Sequence, residues 1–404
     1  MRLILPPEEF AESVATHLVE LQFDGTLHFD RQNFALVLKS GTGNPLQTIN
    51  LANFYADYSN EPNNLPELLK KVASLSRGTP DVSNYESIAP YLMLTILDRS
   101  QVMLDYYKAR RDHGVAAGTP VLIAIAGALV LSPIIDTGTS LVHVTSALLD
   151  IWKVTADEVF DRASRNLSGA TKHYNFESIV DTKNDMPEYH ESMWNDGYDA
   201  ARIAHEHIFL QGLPVKGEKI VFLLSPSKLI VTGTESVIGV AFGVSQLDKS
   251  SLPPFVVVSR NGKLLNYVPD KNKEAGFYIA LHRAQTNYFG RAYYLQKELL
   301  VSADVLIGDV TVADFTVAQH QDKRLASMCT WTEGVDSLLP KTDAITFIGT
   351  AGGAPKIVAR TSWENAVPLV GDRIEQTHDY PPRFRTKSFP TLQQLDAMGI
   401  HDIF

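Results

Sequence analysis

The stretch FVVVSRNGKLLNYV, residues 255–268, carries the strongest hairpin signal in the chain. Two runs of β-branched and apolar residues flank Asn261 and Gly262, and both of these residues tolerate the positive φ of a type I′ turn. Upstream, EKIVFLLS (residues 218–225) and KLIVTG (residues 228–233) are two more β-rich runs, separated by a short break that contains a proline. We therefore predict a strand-rich centre of the chain that includes at least one antiparallel hairpin.

Around this centre, helical and strand patterns follow each other without a regular βαβ alternation. Residues 7–21 place apolar side chains at helical spacing, and Thr155 with Glu158 three residues later predicts a capping box at a helix start. The irregular order argues against a doubly wound parallel sheet. It favours an α+β fold of several modules, with mixed or antiparallel sheets and packed helices.

The pattern divides the 404 residues into four consecutive segments. They are an N-terminal α/β module (residues 1–78), a helical connector (79–114), a central α+β module (115–275) and a β-rich C-terminal module (276–404). The last module is expected to open with a helix at residues 291–302 and to continue with short strands. A chain of this length is typical of two or three domains of about 100–200 residues each.

The composition sets limits on the class of protein. The chain is 45% hydrophobic and 20% charged, which is enough apolar material for an ordinary core. Its formal net charge is −10, so it lacks a chain-wide basic footprint for nucleic acid. A local basic patch remains compatible with this composition.

The most apolar run is PVLIAIAGALVLSPII, residues 120–135. It is shorter than the roughly 20 residues that a membrane helix needs, and Gly127 near its centre predicts a buried hairpin over residues 121–135. The first residues lack the long apolar region of a signal peptide, and the lone Cys329 has no partner for an internal disulfide. These features indicate a cytoplasmic protein without a membrane association.

A polar run, NDGYD (residues 195–199), stands directly in front of a helical pattern that we predict to span residues 197–211. In one interpretation Asn195 or Asp196 caps this helix and Asp199 adds an acid to its first turn. In the other, the free N–H groups and spare polar side chains at the helix start bind a ligand or partner. The residues that would form this binding site are Asp196, Tyr198, Asp199 and Arg202.

No pattern in the chain predicts a metal or a cofactor. On a helix His205 and His207 would point to nearly opposite sides, whereas a helical zinc site places histidines four residues apart. The glycine-rich run at residues 349–355 lacks the spacing of a phosphate-binding loop and is typical of a hairpin loop. Cys329 lies in an apolar strand pattern, which predicts an inert buried thiol.

Four short blocks of sequence resemble YtpQ-like bacterial proteins, a family of unknown function. The blocks are ILDRS (96–100), ADEVFDRASRNL (156–167), NDGYDAARI (195–203) and LLSPSKLIVTG (223–233). The resemblance covers about residues 1–270, and the 130 residues beyond lie outside it. The fourth block often reads Pro-Ser-Arg-Asp in that family, but here Leu229 stands in the place of the acid. If that acid serves a chemical step, this chain lacks it. The resemblance brings no established reaction, substrate or cofactor.

Two hypotheses about function follow. The first is a cytosolic bacterial adaptor or accessory component that acts by binding a protein partner, because no catalytic or cofactor pattern is visible. The second is a hydrolase-type enzyme that takes acids and histidines from residues 196–202 and 320–343. An enzyme of this kind should bring both segments to one cleft, whereas a binding module should present a broad surface patch.

Overall fold

A computed structural model describes residues 4–20, 26–31, 34–39, 45–60, 62–76, 82–113, 118–137, 141–171, 175–180, 186–205, 212–302, 310–322, 324–350 and 353–402. These residues form several mostly antiparallel sheets with packed helices, so the α+β fold class is confirmed. The chain divides into two compact units. The first contains Met1–Met93, Ile134–Val144 and Asp150–Asn166, and the second contains Leu94–Pro133, Thr145–Leu149 and Leu167–Phe404.

The described α-helices are α1 (Pro7–Glu20), α2 (Ala52–Asn60), α3 (Leu65–Ser76), α4 (Tyr85–Ile88), α5 (Arg99–His113), α6 (Ser146–Trp152), α7 (Ala156–Ala170), α8 (Val237–Leu247), α9 (Ala275–Ser302), α10 (Trp363–Val370) and α11 (Leu392–Met398). Short 3₁₀-helices lie at Pro62–Asn64, Ala89–Tyr91, Ala200–His205 and Gly371–Arg373.

The described strands are β1 (Thr26–Asp30), β2 (Ala35–Lys39), β3 (Pro45–Asn50), β4 (Leu92–Asp98), β5 (Ile123–Ala126), β6 (Leu129–Asp136), β7 (Leu141–His143), β8 (Phe176–Val180), β9 (Pro187–Ser192), β10 (Lys219–Ser225), β11 (Lys228–Gly233), β12 (Val256–Arg260), β13 (Lys263–Asn266), β14 (Thr311–Val312), β15 (Thr316–Gln319), β16 (Leu325–Thr332), β17 (Ser337–Pro340), β18 (Ala344–Gly349), β19 (Lys356–Ser362), β20 (Ile374–Gln376) and β21 (Arg383–Thr386). The sheets have the orders β1-β2-β3, β4-β6-β5 with β7 also on β6, β13-β12-β10-β11-β9-β8, β14-β17-β21-β20 and β15-β16-β18-β19.

The first unit has an apolar core of its own between α1, α2, α3 and the β1-β2-β3 sheet. Phe10 and Leu18 of α1 are fully buried there, as the helical spacing of residues 7–21 predicts. The ring of Phe10 stacks on Tyr58 with centroids 5.2 Å apart. In the same unit α7 begins with the predicted capping box, since Thr155 N donates to Glu158 and Glu158 N donates to the Thr155 hydroxyl.

The six-stranded sheet of the second unit is antiparallel throughout. Asn261 and Gly262 link β12 to β13 with φ values of 54° and 70°, which confirms the predicted type I′ hairpin. Helix α8 and the first half of α9 cover one face of this sheet, where Phe222, Val256 and Phe277 are buried together.

The apolar run at residues 120–135 forms the predicted hairpin from β5 and β6. Gly127 turns the chain with φ +55°, and a Cβ at this position would lie 2.1 Å from the ring of Phe255. Only glycine fits this turn without a displacement of that ring. No helix in the described ranges combines the length and the apolar character that a membrane crossing needs.

Residues 79–114 differ from the helical connector that the sequence suggests, because Leu92–Asp98 form strand β4 before helix α5 begins. The run LMLTILD is apolar and mostly buried, and periodicity alone does not separate such a short run from a buried helix. The segment boundaries at residues 78, 114 and 275 stay predictions. Helix α9 also begins earlier than residue 291, and its first half packs into the core of the central sheet.

The C-terminal residues build two four-stranded sheets that contain parallel and antiparallel pairs. Strand β16 pairs in parallel with β18, and β18 forms the predicted hairpin with β19. Cys329 is buried in β16, and burial raises the pKa of its thiol to about 12, in line with an inert thiol. Arg383 is also fully buried, and its guanidinium donates to Gln296 and to three backbone carbonyls.

Candidate functional site

The predicted helix over residues 197–211 is wrong in its described part. A 3₁₀-helix begins only at Ala200 and extends to His205, and residues 206–211 lie outside the described residues. Asn195 and Gly197 both have positive φ, at 53° and 85°, which a helical backbone does not allow. Asp196 accepts a hydrogen bond from the N–H of Tyr198 at 3.0 Å, so it closes a local turn instead of capping a helix.

Arg202 lies at the centre of a cluster that we call the Arg202 cluster, made of Thr171, Trp194, Asp196, Asp199 and Arg202. Its guanidinium forms a bidentate pair with Asp196 at 2.8 and 2.6 Å, and its Nε donates to the hydroxyl of Thr171 at 2.9 Å. The same group stacks over the ring of Trp194, 4.5 Å from the centroid. Only 1% of the Arg202 side chain is exposed, whereas Asp196 is 38% exposed.

Asp199 is fully buried beside this guanidinium. Its Oδ2 accepts the N–H of Trp194 at 3.2 Å, and its Oδ1 lies 4.0 Å from NH1 of Arg202. Burial raises the pKa of Asp199 above its ordinary value. At Asp196 burial also raises the pKa, but the hydrogen bonds from Arg202 outweigh it and the pKa is lowered. The pKa values of the two acids are therefore shifted in opposite directions, and Asp196 is the charged partner of the Arg202 guanidinium.

The Arg202 cluster ties together segments that are distant in sequence. The N–H of Ala200 donates to the carbonyl of Pro226 in the turn between β10 and β11, at 3.0 Å. His205 contacts the hydroxyl of Ser168 at the end of α7, at 3.1 Å. Two of the four sequence blocks that carry the family resemblance, NDGYDAARI and LLSPSKLIVTG, thus meet at this cluster, and Ser168 and Thr171 come just after a third block in the sequence. The contacts give Arg202 a structural role, whereas Tyr198 and Asp196 are the members of the proposed site that reach the surface.

A cavity of about 440 Å³ lies elsewhere in the second unit, between α9 and the ends of β16 and β18. We call it the cationic cavity, after the three basic side chains in its wall. Its lining residues are Lys271, Tyr278, Ile279, His282, Arg324, Leu325, Ala326, Lys341, Thr342, Asp343, Ser362 and Glu364.

A histidine and an aspartate form a hydrogen-bonded pair in the wall of the cationic cavity. Nε2 of His282, on α9, lies 3.0 Å from Oδ1 of Asp343, just before β18. The other oxygen of Asp343 accepts both the N–H and the hydroxyl of Ser327, each at 2.7 Å. Burial raises the pKa of Asp343, but the hydrogen bonds from His282 and Ser327 outweigh it, so the pKa lies below its ordinary value.

The pair does not form a serine-hydrolase triad with Ser327. The Ser327 hydroxyl donates to Asp343 and accepts the N–H of Asp343 at 2.8 Å, so it is bound to the acid and not to His282. A nucleophilic serine needs the histidine as its direct partner. Ser327 instead fixes the orientation of the carboxylate.

The basic side chains of the cationic cavity differ in the contacts that they make with neighbouring side chains. Lys271 lies 5.2 Å from the ring centroid of Tyr278, and Arg324 forms an ion pair with Asp322 at 2.7 Å. Lys341 is exposed, and within the described residues its ammonium group has no ion-pair partner. Asp343 and Glu364 also line the cavity, so its three basic side chains exceed its acids by one.

The two segments of the hydrolase hypothesis are not brought to this cleft together. Residues 320–343 supply Arg324, Lys341 and Asp343, whereas residues 196–202 supply no lining side chain. The sequence interpretation also missed His282, Lys271 and Tyr278, which lie on or just before α9. Tyr278 and His282 are four residues apart on this helix, but nothing in the local pattern indicates that Asp343, 61 residues further on, completes the pair.

In the described part of the chain, no group of three histidine, cysteine, aspartate or glutamate side chains could hold a metal ion. His205 is buried, and Glu206 and His207 fall outside the described residues. Comparison with known proteins gave no matching family model, no matching curated protein and no matching solved structure. The resemblance to YtpQ-like proteins therefore stays an expectation.

Proposed function

We propose that the protein works by binding, and that the cationic cavity receives an anionic group of its ligand. The observation that supports this is the set of Lys271, Arg324 and Lys341 around one space of about 440 Å³. Carboxylate and phosphate are the anions that such side chains recognise in proteins. Arginine offers a planar fork of N–H donors and lysine offers a compact point charge.

Two acids, Asp343 and Glu364, also lie in the wall, so the lining has one more basic than acidic side chain. Asp343 already has His282 and Ser327 as hydrogen-bond partners, and Asp322 pairs with Arg324 from outside the lining. Lys271 and Lys341 are both exposed and have no ion-pair partner among the described residues, but the ammonium group of Lys271 lies over the ring of Tyr278. We expect Lys341 to contribute most to anion affinity.

The anionic group has two possible sources, a small molecule or an acidic segment of a protein partner. The adaptor hypothesis selects the second, and we retain it as the proposed biological role, in the cytoplasm of a bacterium. It is supported by the buried lone thiol, which offers no disulfide chemistry, and by the sequence resemblance. Nothing in this proposal requires a cofactor.

Calorimetric titration tests the proposal with three probes, which are inorganic phosphate, succinate and a peptide that ends in several acidic residues. For a small anion we expect a Kd of about 1 mM, the range that a few heavy atoms can supply. Lys341→Met should weaken binding at least 10-fold, whereas Lys249→Met, an exposed lysine outside the cavity, should leave the Kd unchanged.

The probes also separate the two sources. A peptide that binds at least 10-fold more tightly than succinate supports a protein partner, and equal affinity supports a small molecule. The proposal fails if none of the probes gives saturable binding, or if Lys341→Met and Lys249→Met have the same effect.

A further inference from the structure

We infer that His282 and Asp343 form a general-base pair that hydrolyses a carboxylic ester, when the substrate's anionic group is held in the cationic cavity. The inference rests on the proposed function, because it uses the same cavity to hold the substrate. It goes further in assigning a reaction to a pair of side chains that anion binding does not require.

The hydrogen bond to Asp343 determines which nitrogen of His282 can act as a base. Nε2 lies 3.0 Å from Oδ1 of the carboxylate, an acceptor, so Nε2 carries the proton of the neutral ring. The lone pair is then on Nδ1, which has no hydrogen-bond partner among the described residues. His282 is 27% exposed and lines the cavity, and we place the attacking water at this nitrogen.

The surroundings hold the pair in one orientation. The imidazole ring stacks on Tyr278, with centroids 5.8 Å apart and planes 19° from parallel. The Asp343 carboxylate is fixed by the N–H and the hydroxyl of Ser327, each at 2.7 Å. An aspartate fixed in this way orients the imidazole and stabilises the imidazolium that forms when the base takes a proton. Asp343 is thus a positioning residue, and His282 is the catalytic base.

The reaction needs only water as the second reactant. Nδ1 of His282 takes a proton from water while the water oxygen forms a bond to the ester carbonyl carbon. The bond from that carbon to the alcohol oxygen then breaks, and the imidazolium returns its proton to the leaving alkoxide. The products are a carboxylic acid and an alcohol, and Lys341 keeps the anionic end of the substrate in place throughout.

The test uses mono(4-nitrophenyl) succinate, an anionic ester, with neutral 4-nitrophenyl acetate as the comparison. His282→Gln should lower kcat/KM for the anionic ester at least 100-fold, the lower end of the range for general-base catalysis. The matched control is His320→Gln, because His320 forms a second His–Asp pair, at 2.8 Å from Asp322, that does not line the cavity. This control should retain full activity.

Two further variants distinguish the roles. Asp343→Asn should lower kcat and displace the pH–rate profile, because the imidazole loses its anionic partner, whereas Lys341→Met should raise KM with little change in kcat. If phosphate and succinate bind normally but the wild type is no faster than His282→Gln, the inference is overturned and the proposed function stands. If the anions do not bind, the proposed function fails, and the inference fails with it.

Discussion

Replacing Arg202 by methionine tests whether the most specific motif of the sequence is structural. The guanidinium is 1% exposed and makes three side-chain hydrogen bonds, two to Asp196 and one to Thr171, and it also stacks on Trp194. Methionine keeps most of the apolar volume, so the change removes charge and donors without a large cavity.

The expected cost follows from burial on the two sides of the pair. Breaking a fully buried ion pair costs about 3–5 kcal/mol, because the remaining charge is stranded. Here Asp196 is 38% exposed and can regain water, which lowers the estimate, whereas Asp199 is fully buried and loses its nearby cation. We therefore expect Arg202→Met to lower the free energy of unfolding by about 3 kcal/mol at pH 7.

The loss should depend on pH in a defined direction. The lowered pKa of Asp196 stabilises the native protein above the ordinary value of 3.8, and this contribution disappears as the pH falls through the folded-state pKa. Asp199 acts in the same sense, because removal of Arg202 raises its already raised pKa and makes its ionised form more costly at higher pH. The difference between wild type and variant should therefore be larger at pH 7 than at a pH below the folded-state pKa of Asp196.

Urea unfolding measures this difference, with Arg283→Met as the matched control. Arg283 is exposed on α9, so its replacement should change the free energy of unfolding by less than about 0.5 kcal/mol. A loss below about 1 kcal/mol for Arg202→Met would refute the structural interpretation, since that is the value of a single ordinary hydrogen bond. Phosphate binding per folded molecule should be unchanged, because Arg202 does not line the cationic cavity.

Three further predictions concern other parts of the fold. Burial lowers the pKa of His190, so the free energy of unfolding should fall as the pH drops below the pKa that this histidine has in the unfolded chain. His190→Gln should remove this loss, which is at most about 1.4 kcal/mol per pH unit, whereas replacement of the exposed His378 by glutamine should leave the loss unchanged. Thermal unfolding should show Gly127→Ala to be less stable than wild type by more than about 2 kcal/mol, because its Cβ meets an aromatic ring; Gly262→Ala, with similar φ but open space, should cost only about 1 kcal/mol. Tyr288→Phe should cost about 1–3 kcal/mol in urea unfolding, since the half-buried carboxylate of Asp98 loses the phenol that donates to it at 2.5 Å but keeps the N–H of Ser100.

Local signals in the sequence predict local structure well in this chain. The hairpin at Asn261 and Gly262 and the capping box at Thr155 depend on backbone groups within a few residues, so the sequence contains all that determines them. Strand β4 was missed because its apolar run has no helical or strand period, and only its neighbours in the sheet decide its conformation.

The contacts within the Arg202 cluster do not follow from the local sequence pattern. The residue types in NDGYDAARI indicate a polar site. The predicted helix over residues 197–211, however, would place Arg202 beside Tyr198, four residues earlier. The two positive φ values in the loop instead turn Asp196 back toward the guanidinium, six residues away, and the ring beneath the guanidinium is Trp194. The conformation of the loop therefore determines which side chains contact Arg202. That conformation depends on the loop's own side chains together with the β10–β11 turn.

The cationic cavity could not be assembled from the sequence, because its members come from three places that long-range pairing brings together. Parallel pairing of β16 with β18 places Ser327 beside Asp343, and helix α9 must then pass over this end of the sheet to bring His282 to the same carboxylate. The cavity lies in the residues beyond the family resemblance, whereas two blocks of that resemblance meet beside the buried Arg202. The side chains of a motif that holds loops together already have partners, but a binding site needs accessible groups with unused donors or acceptors. Lys341 and Nδ1 of His282 meet that requirement in the described structure, and Arg202 does not, so the search for a ligand should begin at the cavity.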